Sequence, residues 1–576
     1  MNAPAVAMDS RLTQGRRGWI AATLIAAIVL AIGWPGLAGD WGRDDYFQLA
    51  LARMLGSPWP LFTSDHYPVP GSVFRPLGFA SMWLDTRLFG TDYAAHALVD
   101  LVLHAGVALA LFGVLCKARI PTLLAALAGL AFALHPAAAS TAQWWSARFD
   151  VLATLFVLLT LQAAFAYRLH PRTRLLLLAL LAAFAAMTSK EIGLLAPAAL
   201  MLVWARWAWC DRASRALALR ACAAAFACAF VFLIWRMAVL GTASSHLLGD
   251  ASPLSALLAG VTVWLRDAGG YLSWAARLLP WQRAVLACTM FAGLALLALE
   301  LRARWRERSR RTAPAAHVVG AADPRIDLVV CGLLLLLVPA LLQAPVARLN
   351  AQSLSAAYSA VEAAMQARLY YLGSAGIALV LGAALASMRP QRQWFAAGIV
   401  TIVLIVFGSA SWQASRAFAQ RSAQIASMAH AAVAAVEALP RSDAQCRIVF
   451  VGVEEAREWG GFVAMDSIVK ALAKDRSQIA HCWIHADAPT YFHLQDAAAM
   501  PADAAPWMPL AVDGKPLPWP RVGALRYAYL SAPTQLDAHT LATTQFLRWQ
   551  DGRFVDVSAQ VIAGRVKVQP WSMPTP

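Results

Sequence analysis

Apolar runs of about 18 residues or more alternate along this chain with short segments that hold arginine, lysine and turn-forming residues. A helix needs about 20 such residues to cross roughly 30 Å of hydrocarbon. The pattern predicts spans at 19–38, 93–115, 120–136, 149–167, 174–188, 193–209, 221–240, 283–301, 326–343, 370–388 and 394–412, about eleven in all. The first follows Arg11, Arg16 and Arg17 as a signal peptide would, but it lacks a small-residue cleavage site and reads as a retained anchor. Residues 253–280 are apolar too, yet Arg266, Asp267, Gly269 and Gly270 interrupt them. A charge at the bilayer centre costs about 2.5–3.5 kcal/mol on insertion scales, so this segment is expected to be an amphipathic external helix.

The polar stretches divide the rest. A long first external loop, 39–92, is rich in turn formers (Pro58, Pro60, Pro68, Pro70, Gly71, Pro76). After the last span, 414–440 reads as a linker helix. The tail 441–576 then has a strand-like run from Cys446 to Val453, a helical pattern near 462–474 and a second strand-like run from Ile479 to His485. A proline-rich stretch, Pro501 to Pro520, follows, and 553–568 reads as a closing pair of strands. The expected organisation is therefore a cytoplasmic N-terminus (1–18), a transmembrane domain (19–413), a linker helix (414–440) and a small extracytoplasmic α/β domain (441–576).

Composition agrees with this division. Hydrophobic residues make up 60% and charged ones 14% of the 576 residues, which excludes a disordered chain and an ordinary soluble enzyme. The net charge of +16 fits a nucleic-acid partner, a membrane surface or the positive-inside asymmetry of a polytopic protein. Counting decides for the last. With the N-terminus inside, the cytoplasmic segments hold about 21 Lys and Arg in roughly 70 residues, against about ten in roughly 140 on the other side. The tail then lies outside, in the periplasm beyond a bacterial inner membrane, and the basic run 302–311 is loop charge rather than a nucleic-acid site. Six cysteines lie in or beside apolar runs without CxxC spacing and read as small buried residues. Cys446 and Cys482 stand apart in the tail, where an oxidising compartment would allow a disulfide.

The candidate chemistry gathers on the external side. Asp44 and Asp45 lie just past the first span in Trp41-Gly-Arg-Asp-Asp-Tyr46, where a partly desolvated carboxylate could take a proton from an acceptor hydroxyl; a solvated charge pair with Arg43 is the plainer alternative. His96, Asp100 and His104 fall at i, i+4 and i+8 on one helical face. They fit a polar packing network or a cavity wall. A divalent metal is a third use, although a strong metal site would show more ligands. At further external ends stand His135-Pro136, Gln143-Trp-Trp-Ser-Ala-Arg148-Phe-Asp150 and Ser189-Lys190-Glu191. Arg148 and Lys190 could bind a phosphate, or merely anchor at the interface by snorkelling. There is no P-loop, HExxH or GxSxG pattern.

The order Asp44-Asp45, Phe74-Arg75-Pro76-Leu77, Leu88-Phe89-Gly90, His96, His104, His135-Pro136, Arg148-Phe-Asp150, Ser189-Lys190-Glu191-Ile-Gly193 and Arg368-Leu-Tyr-Tyr371-Leu-Gly-Ser374-Ala-Gly376 resembles the membrane portion of the transmembrane and tetratricopeptide-repeat-containing O-mannosyltransferases. Those are GT-C glycosyltransferases, and the resemblance covers about residues 19–415. It implies a polytopic, GT-C-like enzyme that passes a sugar from a polyprenyl-phosphate donor to an extracytoplasmic protein or envelope-glycan acceptor. It also implies a catalytic acid in the first external loop, matching Asp44 or Asp45. Arg75, Arg148, Lys190 and Arg368 become candidates for the donor phosphate on chemical grounds. The repeats of that family are absent here, and Asp100 stands where the family is expected to carry a neutral amide. On residues alone, two other classes remain: a transporter or flippase for a lipid-linked substrate, and a membrane assembly protein that binds partners through its tail.

Overall fold

The computed structural model describes the chain apart from residues 1–2, 43, 67–72, 242–277, 311–322, 354–367, 440–445, 453–460, 567–576 and parts of 476–537. The amphipathic helix expected at 253–280 lies, but for its last three residues, outside the described residues.

Every predicted span falls on a helix. In chain order the helices to the last span are α1 (Ala3–Gly33), α2 (Asp44–Met54), α3 (Pro60–Thr63), α4 (Pro76–Phe89), α5 (Tyr93–Lys117), α6 (Thr122–Ala133), α7 (Pro136–Thr141), α8 (Arg148–Leu169), α9 (Thr173–Ser189), α10 (Leu195–Cys210), α11 (Arg215–Leu240), α12 (Pro280–Arg310), α13 (Pro324–Ser353), α14 (Tyr371–Ser387) and α15 (Pro390–Glu437). Among the described residues eight helices are long and apolar enough to cross a membrane, while α6 and α9 are apolar but shorter. The chain is a polytopic α-helical membrane protein. Residues 414–437 continue α15, which runs for 48 residues without a break.

The chain forms two compact units. One comprises Met1–Leu37, Ala97–Phe232 and Asp250–Phe418; the other comprises Ala38–His96, Leu233–Gly249 and Ala419–Pro576. In the first unit α8 packs on α9 and α10, and α14 packs on α6, α8 and α13. Small residues permit this. Ala179, Ala183 and Ala186 repeat at helical spacing on α9 and are all fully buried. On α13 and α14 the approach is closer still, because a Cβ on Gly332 would lie 2.6 Å from the carbonyl oxygen of Gly376, and one on Gly376 would strike the carbonyl of Gly332. The buried carboxylate of Asp327 ties three helices, accepting from Arg168 Nη1 at 2.6 Å and from Arg206 Nε.

In the second unit the first external loop is mostly helical, because its prolines start helices: Pro60 and Pro76 take the first positions of α3 and α4, where a missing N–H costs nothing. The tail adds α16 (Gly461–Leu472), α17 (Ala538–Thr543) and α18 (Ser558–Ile562). In its main sheet β1 (Arg447–Val451) runs parallel to both β2 (Trp483–Ala486) and β3 (Thr544–Gln550), and β4 (Arg553–Asp556) completes the order β2-β1-β3-β4. β3 turns back into the antiparallel β4 through Asp551 and Gly552, both at positive φ, as a two-residue hairpin turn requires. The closing strands expected at 553–568 are thus displaced: 553–556 pairs backward with 544–550, and 558–562 is helical. Cys446 and Cys482, just ahead of two adjacent strands, are joined as a disulfide with Cα atoms 4.5 Å apart. Helix α16 packs on β2 and on α2, where Arg53 donates to the carbonyl of Ala471.

Candidate functional site

In the first unit, charged side chains converge from several helix ends. A 3₁₀ turn at Trp145–Ala147 leads into α8, so Arg148 and Asp150 sit in that helix's first turn. Arg148 Nε donates to Asp100 Oδ1 of α5 at 2.5 Å, both residues being fully buried. Lys190 leaves α9 in an extended conformation, and its Nζ donates to Asp150 Oδ1, also at 2.5 Å. The turn after Lys190 needs glycine, since a Cβ on Gly193 would collide with the Ala186 carbonyl. One turn beyond Asp100 on α5, His104 Nε2 lies 3.0 Å from the Ala133 carbonyl and Nδ1 lies 2.6 Å from Tyr371 Oη. A carbonyl only accepts, so Nε2 carries a proton and donates to it. Three residues before Tyr371, the Arg368 guanidinium lies over the Trp144 ring, 4.6 Å from its centroid. Among the described residues Arg368 has no carboxylate partner and its buried Nε has no acceptor.

In the second unit, Asp44 and Asp45 open α2 and face differently. Asp44 is exposed, against the desolvation expected for it. Asp45 is 1% exposed; its Oδ2 accepts the Gly42 N–H at 3.1 Å while its own N–H returns to the Gly42 carbonyl at 3.0 Å, a reciprocal clasp like a capping box. Tyr46 donates its hydroxyl to the Trp41 carbonyl at 2.9 Å. Burial, with Asp40 and Asp45 nearby, holds that phenol well above its usual range, so it stays a donor. Trp41 packs edge-on to His96 at 5.0 Å. His96 Nε2 sits 3.1 Å from the Gly90 carbonyl, and Nδ1 is 3.8 Å from Asp85 Oδ2. Arg75 precedes α4, half-buried, with its peptide N–H 3.4 Å from His66 Nε2.

No protein-family model and no curated protein sequence matches the chain. Among solved structures the likeness is to ArnT. ArnT from Cupriavidus metallidurans in the apo state aligns over 89% of this chain and 98% of its own, with 12% identity and a TM-score of 0.45. ArnT bound to undecaprenyl phosphate aligns over the same shares with 14% identity and a TM-score of 0.34. At these scores ArnT assigns no role to any residue here, and the roles rest on the side chains themselves.

Several expected groupings come apart. His96, Asp100 and His104 do share a face of α5, but they serve three different partners: Gly90 and Asp85, Arg148, and Tyr371 with Ala133. Among the described residues no three metal-binding side chains gather. His135 caps α7, its Nδ1 accepting the Ala137 N–H at 3.3 Å. Glu191 begins the 3₁₀ turn after Lys190, half-buried. Sequence reasoning had no means of pairing Asp100 with Arg148 or Asp150 with Lys190, and it gave no role to Trp144 or Asp85. The one available signal for Trp144 was its place in a Trp-Trp pair just ahead of a charged helix start.

Proposed function

We propose that this chain is an integral-membrane glycosyltransferase of GT-C type that moves a hexose from a polyprenyl-phosphate donor to a hydroxyl of an extracytoplasmic acceptor, with inversion. The observation that carries the reading is Arg368. A half-buried guanidinium with no carboxylate partner among the described residues calls for an anionic ligand. Arg148 and Lys190 meet carboxylates instead, and those pairs hold helix ends in place.

The chemistry follows from charge. The bond from the anomeric carbon to the phosphate oxygen breaks, its electron pair leaves with the phosphate, and the acceptor oxygen bonds the same carbon from the opposite face. Arg368 stabilises the leaving phosphate as its charge grows. Asp44, exposed and without a hydrogen bond among the described residues, takes the acceptor proton, while Asp45 fixes the start of α2. The lysine and arginine asymmetry supports an N-terminus in the cytoplasm of a bacterial cell and a disulfide-bearing tail in the periplasm.

The test is transfer from a panel of radiolabelled polyprenyl-phosphate sugars by purified protein, with a membrane extract as acceptor source. Label reaching an acceptor, and lost in Asp44→Asn, supports the reading. Folded protein that carries a lipid-linked sugar across vesicle membranes but transfers no label would replace it with the transporter reading.

A further inference from the structure

We infer that the Trp144 indole N–H and the Arg368 Nε–H together form a two-donor seat for one phosphate group, and that this seat selects donors with one phosphate over donors with two. The inference rests on the donor class proposed above and adds a residue and a discrimination to it.

Three observations converge on the seat. Trp144 is 1% exposed, and among the described residues its Nε1 has no hydrogen-bond partner. The Nε of Arg368 is likewise buried without an acceptor among the described residues. The guanidinium lies over the indole ring, with 4.6 Å between guanidinium carbon and ring centroid, so the two side chains that carry these donors are in contact. Buried donors are nearly always satisfied, so two orphans side by side mark a place for an acceptor that arrives from outside. A water could satisfy the indole, but it would leave the arginine's charge unbalanced. An anionic oxygen answers both, as the strongest hydrogen bonds are those to charged groups.

The charge count gives the selectivity. Arg148 is balanced by Asp100 and Lys190 by Asp150, which leaves Arg368 as the one uncompensated charge among these three cations. A phosphodiester between a polyprenol and a sugar carries one negative charge and fits that balance. A diphosphate brings at least one more, which would have no cation left to balance it among these three.

The experiment measures retention of a radiolabelled polyprenyl-phosphate sugar on the purified full-length protein, with a polyprenyl-diphosphate sugar and inorganic phosphate as competitors. Trp144→Phe keeps a flat ring and removes only the N–H, so it should weaken retention roughly tenfold or more. Arg368→Lys keeps the charge but loses the stack and the Nε donor, and it should weaken retention at least as much. Because the two act on one ligand, the double variant should lose less than the product of the two single losses. The diphosphate-linked sugar should compete more weakly than the unlabelled monophosphate-linked sugar. Unchanged retention in folded Trp144→Phe overturns the seat; should that variant not fold, unchanged retention in Arg368→Lys does so. Equal or better competition by the diphosphate overturns the selectivity. Displacement by inorganic phosphate at the lipid's own concentration makes this a site for free anions and overturns the lipid assignment. A protein that still transfers sugar in any of these cases keeps its proposed function, whereas wild type that neither retains lipid phosphate nor transfers sugar loses both.

Discussion

In the first unit Asp100 and Asp150 each meet a cation at 2.5 Å, whereas in the second Asp45 clasps a peptide N–H and its neighbour Asp44 stands in solvent. The two regions use the same side chain for opposite ends. Where acids and bases cancel inside a helix bundle they fix the positions of helix ends, and what remains for a ligand is the charge left over. Where an acid stays exposed at the start of a short helix, it is available to take a proton.

The sharpest way to break that contrast is to remove each kind of acid. Asp44→Asn is expected to lower transfer by about 10²–10⁴-fold with an unchanged melting temperature, whereas Asp45→Asn, which keeps an oxygen for the Gly42 N–H, should lose only a few-fold. The reverse ranking in the transfer assay would exchange their roles. In the first unit the effect should appear in stability. Arg148→Ala strands Asp100 in a buried site and should cost about 3–5 kcal/mol, and adding Asp100→Ala should recover part of the loss in a double-mutant cycle followed by thermal melting. Full additivity would mean that the pair is not coupled.

Smaller effects sharpen the comparison. Loss of the disulfide in Cys446→Ser should cost the tail about 2–4 kcal/mol, measured as earlier denaturant unfolding of the second unit with the first unit's melting unmoved. Gly193→Ala forces a methyl against the Ala186 carbonyl and should cost about 1–3 kcal/mol. It would also displace Lys190 from Asp150, so melting indistinguishable from wild type would show that the turn yields without cost.

What could be read in the sequence was whatever depends on neighbours along the chain. Apolar length alone put helices at all the predicted spans, and two cysteines in a polar tail were enough to suggest their bridge. The partners of the charged residues were not legible, because Arg148 and Asp100 are 48 positions apart, His104 and Tyr371 are 267 apart, and only the packing of α5, α8 and α14 sets those distances. The difference between Asp44 and Asp45 was hidden for another reason. Consecutive helical residues point about 100° apart, so the exact start of α2 decides which acid faces inward. That His135 caps the helix beginning at the next residue was not legible either, because a histidine is not among the usual capping residues.

The paired glycines of α13 and α14 have a consequence for how this protein meets lipid. Backbones in direct contact at Gly332 and Gly376 act as a peg, leaving α14 a single axial position along its neighbour. Tyr371, at the start of α14, is therefore held at a depth set by protein packing, and a thicker or thinner hydrocarbon layer would have to deform around the helix pair instead of sliding one helix past the other.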